Sequence, residues 1–112
     1  MRIVAGKFRG KNLVKSDHLK DLRPTTDKNR EALFNILSSG KNIKELGFKI
    51  LNSNVLDVCC GTGAVAFEAL SRGANSAFLI DKNQTHLKIV KENILNLGLQ
   101  NSVEVLAEDV FK

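Results

Sequence analysis

The sequence predicts an α/β fold built around a parallel β-α-β-α-β unit, and three observations support this prediction. Three short apolar segments, each of strand length, begin at residues 54, 76 and 103. Two longer segments between them repeat apolar residues at helical spacing. The first apolar segment leads directly into a glycine-rich turn, a common link between a strand and a helix. Right-handed crossovers between such strands predict half of a doubly wound parallel sheet.

The chain before this unit predicts a ribbon and a helix. Residues 1–14 place apolar residues among Arg and Lys, with two glycines at turn points, and are predicted to form a small basic β-hairpin. Thr25 or Thr26 is expected to cap a helix that Gly40 closes. Residues 41–53 fit either a short helix or a loop.

The elements of the parallel unit have clear limits in the sequence. The predicted strands cover residues 54–60, 76–81 and 103–109. The first helix opens at the glycine turn and stops at Gly73, whereas the second is capped by Asn83 and closed by Gly98. The apolar positions of the second helix are expected to face the core.

The composition indicates a soluble globular protein. The chain has 112 residues, of which 43% are hydrophobic, and it contains no apolar run that suits a membrane span or a signal peptide. A cytoplasmic location is therefore expected. Cys59 and Cys60 are adjacent, without a second cysteine pair, so reduced thiols are predicted rather than disulfides or a zinc site. Residues 1–40 and 41–112 are predicted to form two parts of one compact unit.

Positive charge is concentrated at the front of the chain. Residues 1–30 contain nine Lys or Arg against three Asp, whereas the remainder contains eight against nine acidic residues. Such a basic segment is typical of an arm that binds a polyanion, because each neutralised phosphate releases counterions. It also fits a solvated terminus, and charge alone leaves both interpretations open.

An acidic residue and two glycines mark a candidate binding site. Gly61 and Gly63 allow the backbone to approach a ligand at the carboxyl end of the first strand, where open α/β sheets bind their ligands. Asp57 lies inside the otherwise apolar strand, and burial of a carboxylate is costly unless hydrogen bonds or a cation compensate. Either a cationic ligand group or the amides of its own loop would satisfy it.

Two further acids follow the next strands. Asp81 ends the second strand at a spacing that suits hydrogen bonds from both hydroxyls of a ribose. This spacing fits NAD as well as S-adenosylmethionine, since Ala66 completes a GxGxxA pattern. Asp57 would repel a pyrophosphate but not a sulfonium or an ammonium group, so it favours S-adenosylmethionine. Asp109, after the third strand, is either a surface acid or a third member of a ligand-facing row.

Three sequence blocks resemble the RsmD-type 16S rRNA (guanine-N2)-methyltransferases, which have the class I S-adenosylmethionine-dependent fold. The blocks are MRIVAGKFRGKNL at 1–13, LRPTTDKNREALFNIL at 22–37 and VLDVCCGTGAVAFEALSRGA at 55–74. Together they run over nearly the whole chain. The resemblance implies a Rossmann-like class I methyltransferase half-sheet preceded by an RNA-facing extension. It also implies transfer of the cofactor's methyl group to the exocyclic N2 of a guanine in small-subunit rRNA.

The resemblance assigns roles to individual residues. It implies a cofactor site made of Asp57, Cys59, Gly61, Gly63, Asp81, Lys82 and Asp109. Within that site, Asp81 is the ribose-binding acid and Asp109 is the adenine-binding acid. The residues expected to contact rRNA are Arg2, Lys7, Arg9, Lys11 and Arg23. No metal ion is implied.

One feature of the family is absent from the 112 residues. Relatives carry an Asn- or Asp-Pro-Pro-aromatic tetrapeptide after the fourth strand, which holds the target amine, whereas the only proline here is Pro24. No catalytic residue is therefore assigned. We expect a truncated chain with little activity alone, which self-associates through the exposed edge of its first strand.

Two other interpretations remain open. The chain is alternatively a non-catalytic fragment that binds RNA or S-adenosylmethionine, or an NAD-binding fragment. His18 and His86 are expected to be solvated rather than catalytic. Cys59 and Cys60 are expected to be small packing residues rather than nucleophiles.

Overall fold

The computed structural model describes residues 1–14 and 26–111, which form an α/β structure. Its helices are α1 (Asp27–Ser39), α2 (Lys41–Glu45), α3 (Ala64–Ser71) and α4 (Gln84–Leu97), and its strands are β1 (Asn54–Val58), β2 (Ser76–Asp81) and β3 (Val103–Ala107). No helix within these two ranges is long and apolar enough to span a membrane. The sequence predictions for His18, Arg23 and Thr25 fall outside them.

The three strands form one parallel sheet in the order β1-β2-β3. Asp57 of β1 is paired in register with Leu79 of β2, and Leu79 is paired with Val105 of β3. The predicted β-α-β-α-β unit is therefore confirmed, and each strand ends at the same edge of the sheet. The loops that follow the strands meet at that edge.

Both long helices of the unit pack against the same face of the sheet. One buried cluster contains Phe67 and Leu70 of α3, Val90 and Ile94 of α4, and Leu79 of β2. On the opposite face Leu56, Val58 and Leu106 are 63%, 44% and 42% exposed. Successive right-handed crossovers in one direction place their helices on one side, so these residues form half of a doubly wound sheet, as predicted.

The helix ends follow the predicted capping chemistry. Thr26 caps α1, since its hydroxyl accepts a hydrogen bond from the amide of Asn29. Asn83 caps α4, and Gly98 ends it in the left-handed conformation, with φ of 68°. In the segment 41–53, where the sequence left a short helix and a loop open, the short helix α2 is followed by turns.

Residues 1–14, called here the basic ribbon, fold back on themselves as predicted, but with a single antiparallel bridge between Arg2 and Asn12 instead of regular strands. The amide of Ile3 donates to the Lys11 carbonyl at 3.0 Å. Ile3 and Leu13 are buried in the same core cluster as α3 and α4. These two apolar side chains anchor the ribbon while its basic side chains remain exposed.

Candidate functional site

The loop between β1 and α3 has an unusual backbone conformation. Cys59, Gly61 and Gly63 all have positive φ, at 60°, 57° and 84°. At Gly63 an added Cβ would lie 2.7 Å from Phe67 Cε2 and 3.1 Å from Leu79 Cδ2, so no larger residue fits without movement. The tight loop therefore brings backbone amides close to the end of the sheet, as the glycine pattern predicts.

Asp57 lies half-buried in β1, on the sheet face that packs against α3. Burial raises the pKa of its carboxyl group above the ordinary value, while the backbone amide of Ala66 acts in the opposite direction and the charge of Asp81 raises it further. The pKa of Asp57 is therefore raised mainly because its carboxyl group is partly removed from water.

Asp81 ends β2 and connects two loops through its carboxylate. Its Oδ2 accepts a hydrogen bond from the amide of Gly61 at 2.9 Å, and its Oδ1 accepts one from the amide of Asn83 at 2.8 Å. Burial alone would raise the pKa of Asp81, but these amides and His86 hold it below the ordinary value. The group is therefore ionised at neutral pH and fixes the glycine loop to the start of α4.

His86 is a neighbour of this carboxylate that the sequence did not reveal. Its side chain is only 15% exposed, so the prediction that it is solvated is wrong. Its Nδ1 lies 3.6 Å from Asp81 Oδ2 and is buried without a hydrogen-bond partner in the described part of the chain. The contact depends on how α4 packs beside β2, which a helical repeat alone does not specify.

The two cysteines of the loop are free thiols. Burial raises the pKa of Cys60 to about 12, with further contributions from Asp57 and Asp81, so its sulfur is protonated at neutral pH. Its thiol group contacts the Gly61 carbonyl at 3.5 Å. Cys59 is exposed. The partly buried Cys60 therefore fits the predicted packing role, whereas the prediction that Cys59 is a packing residue is wrong, because its side chain is exposed.

The remaining predicted site residues lie near the same edge of the sheet. Lys82 is exposed directly after Asp81. Asp109 is partly buried two residues beyond Ala107, the register partner of Asp81, and its Oδ1 accepts a hydrogen bond from the Phe111 amide at 3.0 Å. The glycine loop and the acids at 57 and 81 are thus brought together, with Asp109 one strand further along the sheet.

A buried ionic cluster, which the sequence patterns did not indicate, holds the basic ribbon against α3. Glu68 is fully buried and accepts hydrogen bonds from Arg30 Nε at 3.1 Å and Arg72 Nε at 2.9 Å. It also accepts hydrogen bonds from the amides of Val4 at 2.9 Å and Ala5 at 3.1 Å. A glutamate in a helix whose other residues are almost all apolar was the available signal, because such a charge must be buried and paired.

The same cluster reaches α1 through Arg30. This fully buried side chain donates to Asp27 Oδ1 at 2.8 Å and to the carbonyl of Arg2. Burial acts to raise the pKa of Glu68, but the amide of Val4, Arg72, Arg30 and the amide of Ala5 outweigh it, so the pKa lies below the ordinary value. The ionised Glu68 therefore joins the ribbon, α1 and α3.

The predicted RNA-facing residues of the ribbon are exposed. Arg2, Lys7, Arg9 and Lys11 all present their side chains to solvent. Arg2 and Arg9 also line a cleft of about 630 Å³ between the ribbon and α1, whose α1 side carries both Lys28 and the acids Asp27 and Glu31. The ribbon therefore forms a basic surface, separate from the glycine loop but docked on the same helix, α3.

Comparison with known sequences gives consistent matches. Residues 1–112 match the family model described as "Conserved hypothetical protein 95". The chain is 39% identical over 108 residues to the "Uncharacterized methylase RP545" of Rickettsia prowazekii. It is 36% identical over 102 residues to the "Ribosomal RNA small subunit methyltransferase D" of Escherichia coli K12. These alignments cover 95% and 91% of this chain but 44% and 46% of those proteins. The chain thus spans about half the length of these relatives.

Solved structures agree with the sequence matches. The fold superposes on the structure named "Putative methyltransferase yhhF from Escherichia coli" with a TM-score of 0.76 and 30% identity, covering 97% of this chain and 52% of that one. A hypothetical protein of Thermus thermophilus gives a TM-score of 0.75 and 32% identity, with 99% and 57% covered. Because nearly the whole chain is covered, the similarity includes the basic ribbon as well as the sheet.

Proposed function

We propose a function on the basis that the chain belongs to the RsmD family, whose model is described as "Conserved hypothetical protein 95". The glycine loop binds S-adenosylmethionine, and the protein methylates small-subunit rRNA at N2 of a guanine. The observation that carries the proposal is the convergence of Asp57 and Asp81 on the loop between β1 and α3. Two carboxylates at one glycine loop create a negative potential, which favours a cationic ligand without phosphate groups.

The described residues fit this cofactor. The positive φ of Gly61 and Gly63 and the close contact at Gly63 allow a ligand to lie directly against the backbone. Asp81 is ionised and offers acceptor oxygens for ribose hydroxyls, while Asp57 offsets the positive charge of the ligand. We assign Cys59, Lys82 and Asp109 to the same proposed site.

When bound, S-adenosylmethionine would supply an electrophilic methyl group for transfer to the guanine amine. The part that these residues play is to bind and orient the cofactor, since alignment of the reacting groups is a large part of such catalysis. The exposed cations Arg2, Lys7, Arg9 and Lys11, together with Arg23, are proposed to bind the phosphates of rRNA. No residue of the 112 is assigned to hold the target amine.

A second candidate function is a binding fragment without chemistry. It is supported by the described residues alone, since the exposed cations of the basic ribbon and the glycine loop suffice for binding of RNA and of cofactor. In that case residues 1–40 would bind RNA and residues 41–112 would bind cofactor, without methyl transfer. A methyl-transfer assay on 16S rRNA separates the two candidates.

The cofactor site is tested by binding of S-adenosylhomocysteine, which retains the ribose and the ammonium group. Asp57→Asn is expected to weaken binding about tenfold, because one charge-assisted interaction is lost. Isothermal titration measures the change. Glu104→Gln serves as the control, since Glu104 is an exposed acid on the opposite face of the sheet, and it should bind like the unmodified chain. Equal weakening in both variants would refute a specific role for Asp57.

We also propose that a chain of these 112 residues self-associates through β1. This strand has a neighbour on one side only within the described sheet, and Leu56 is 63% exposed. Leu56→Lys is expected to convert associated species to monomer in sedimentation velocity. Leu95→Lys is the matched control, because Leu95 is 64% exposed on α4 and should leave the association unchanged. Interfaces with micromolar dissociation constants are largely associated at a chain concentration of about 100 μM. An unmodified chain that is monomeric at this concentration would contradict the proposal.

A further inference from the structure

The carboxylate of Asp81 already binds two backbone amides, and this determines how a ligand can reach it. Its Oδ1 accepts from the amide of Asn83 at 2.8 Å, and its Oδ2 accepts from the amide of Gly61 at 2.9 Å. The side chain is only 10% exposed. A ligand hydroxyl that binds Oδ2 must therefore share or displace the Gly61 amide.

His86 lies where it can replace the hydrogen bond that Oδ2 of Asp81 loses when the Gly61 amide is displaced. Its Nδ1 lies 3.6 Å from the same Oδ2 atom, just beyond hydrogen-bond distance. This nitrogen is buried and has no hydrogen-bond partner among the described residues, which is unfavourable for a polar atom. A movement of about half an ångström would bring the two atoms to ordinary hydrogen-bond distance.

The local backbone holds these groups as one unit. The side chain of Asn83 accepts hydrogen bonds from the amides of Thr85 and His86, while its own amide donates to Asp81. His86 therefore lies in the first turn of α4, and its backbone is fixed through the same cap that binds the carboxylate.

We propose that His86 is a positioning residue for Asp81. When ligand hydroxyls displace the Gly61 amide from Oδ2, the Nδ1–H of His86 donates to that oxygen and keeps the carboxylate oriented. The inference rests on the proposed function, because the hydroxyls in question are those of the cofactor ribose. It adds a residue from α4 to a site that was otherwise assigned to the ends of strands.

Three substitutions test the position of the donor. His86→Asn keeps an N–H at the place of Nδ1, His86→Gln moves it one bond further out, and His86→Leu removes it. We expect binding of S-adenosylhomocysteine to be retained within about twofold in the Asn variant and to fall about tenfold in the other two. Lys88→Leu, at an exposed position of the same helix, is the control and should bind normally. Thermal unfolding of each variant separates loss of fold from loss of binding.

A second measurement decides the pairing without any ligand. In ¹⁵N spectra of the ligand-free chain, the neutral His86 ring is expected to be the Nδ1–H tautomer, because Nδ1 faces the carboxylate of Asp81 at 3.6 Å. Asp81→Asn should shift the population towards the Nε2–H form. An Nε2–H tautomer in the unmodified chain would overturn the proposal.

The outcomes distinguish this inference from the proposed function. If the unmodified chain binds S-adenosylhomocysteine and the Leu variant binds equally well, the role of His86 is refuted and the cofactor site stands. If the unmodified chain binds none, the proposed function fails. His86 then has no positioning role in cofactor binding, and the tautomer shows only whether it pairs with Asp81.

Discussion

Replacement of Glu68 by glutamine is expected to lower the free energy of unfolding by about 3–5 kcal/mol, the usual effect of breaking a buried ion pair. Glu68 and Arg30 are both fully buried, and Arg30 would lose the negative charge that faces its Nε at 3.1 Å, while its contact with Asp27 remains. The amides of Val4 and Ala5 would lose a charged acceptor as well. Urea unfolding followed by circular dichroism measures the loss.

The matched control for this prediction is Glu92→Gln on α4. Glu92 is an exposed helical acid, so its replacement should change the stability by no more than about 0.5 kcal/mol. Hydrogen exchange gives a second readout, because the amides of Val4 and Ala5 should lose protection in the Glu68 variant before the sheet does. A Glu68→Gln variant as stable as the control would show that the cluster contributes nothing to docking of the ribbon.

Gly6→Ala is expected to release the basic ribbon from α3 and to destabilise the fold by about 3 kcal/mol or more, among the largest effects of single substitutions. An added Cβ would lie 2.0 Å from the backbone oxygen of Ser71, which cannot move without distorting α3. That oxygen also accepts the hydrogen bond from the amide of Lys7 at 2.9 Å. Amide exchange of Lys7 and Phe8, with urea unfolding, measures the effect.

Gly10→Ala separates the steric clash from backbone strain. Gly6 and Gly10 have φ of 89° and 82°, but an added Cβ at Gly10 meets nothing within 4 Å. The Gly10 variant should therefore show only the strain of a left-handed residue, about 1–2 kcal/mol. Equal destabilisation by both substitutions would mean that the contact with Ser71 is not what holds the ribbon.

The sequence predicted the elements that depend on short-range patterns. The strand around Asp57, the helix between Asn83 and Gly98 and the glycine turn that opens α3 all follow from periodicity and from turn and capping residues. The parallel direction of the strands follows from the helical crossovers between them. These features are local, and the structure confirms them.

The contacts between distant side chains could not be predicted in the same way. Asp81 was assigned to a ligand, yet both of its oxygens accept backbone amides, from loops whose approach depends on the whole sheet. Glu68 and Arg30 are 38 residues apart, and their pairing requires α1 to pack on α3. The helix pattern predicts a solvated His86, because the contact with Asp81 at the end of β2 that buries it cannot be seen in that pattern. Composition and spacing carry no information on such pairings.

The central claim is that the loop between β1 and α3 binds an adenosyl ligand without phosphate groups rather than a dinucleotide, and a titration followed by amide NMR tests it most directly. We predict that S-adenosylhomocysteine shifts the amide resonances of Gly61, Gly63 and Asn83, whereas NAD at the same concentration leaves them in place. Shifts of these three amides with NAD but not with S-adenosylhomocysteine would contradict the account.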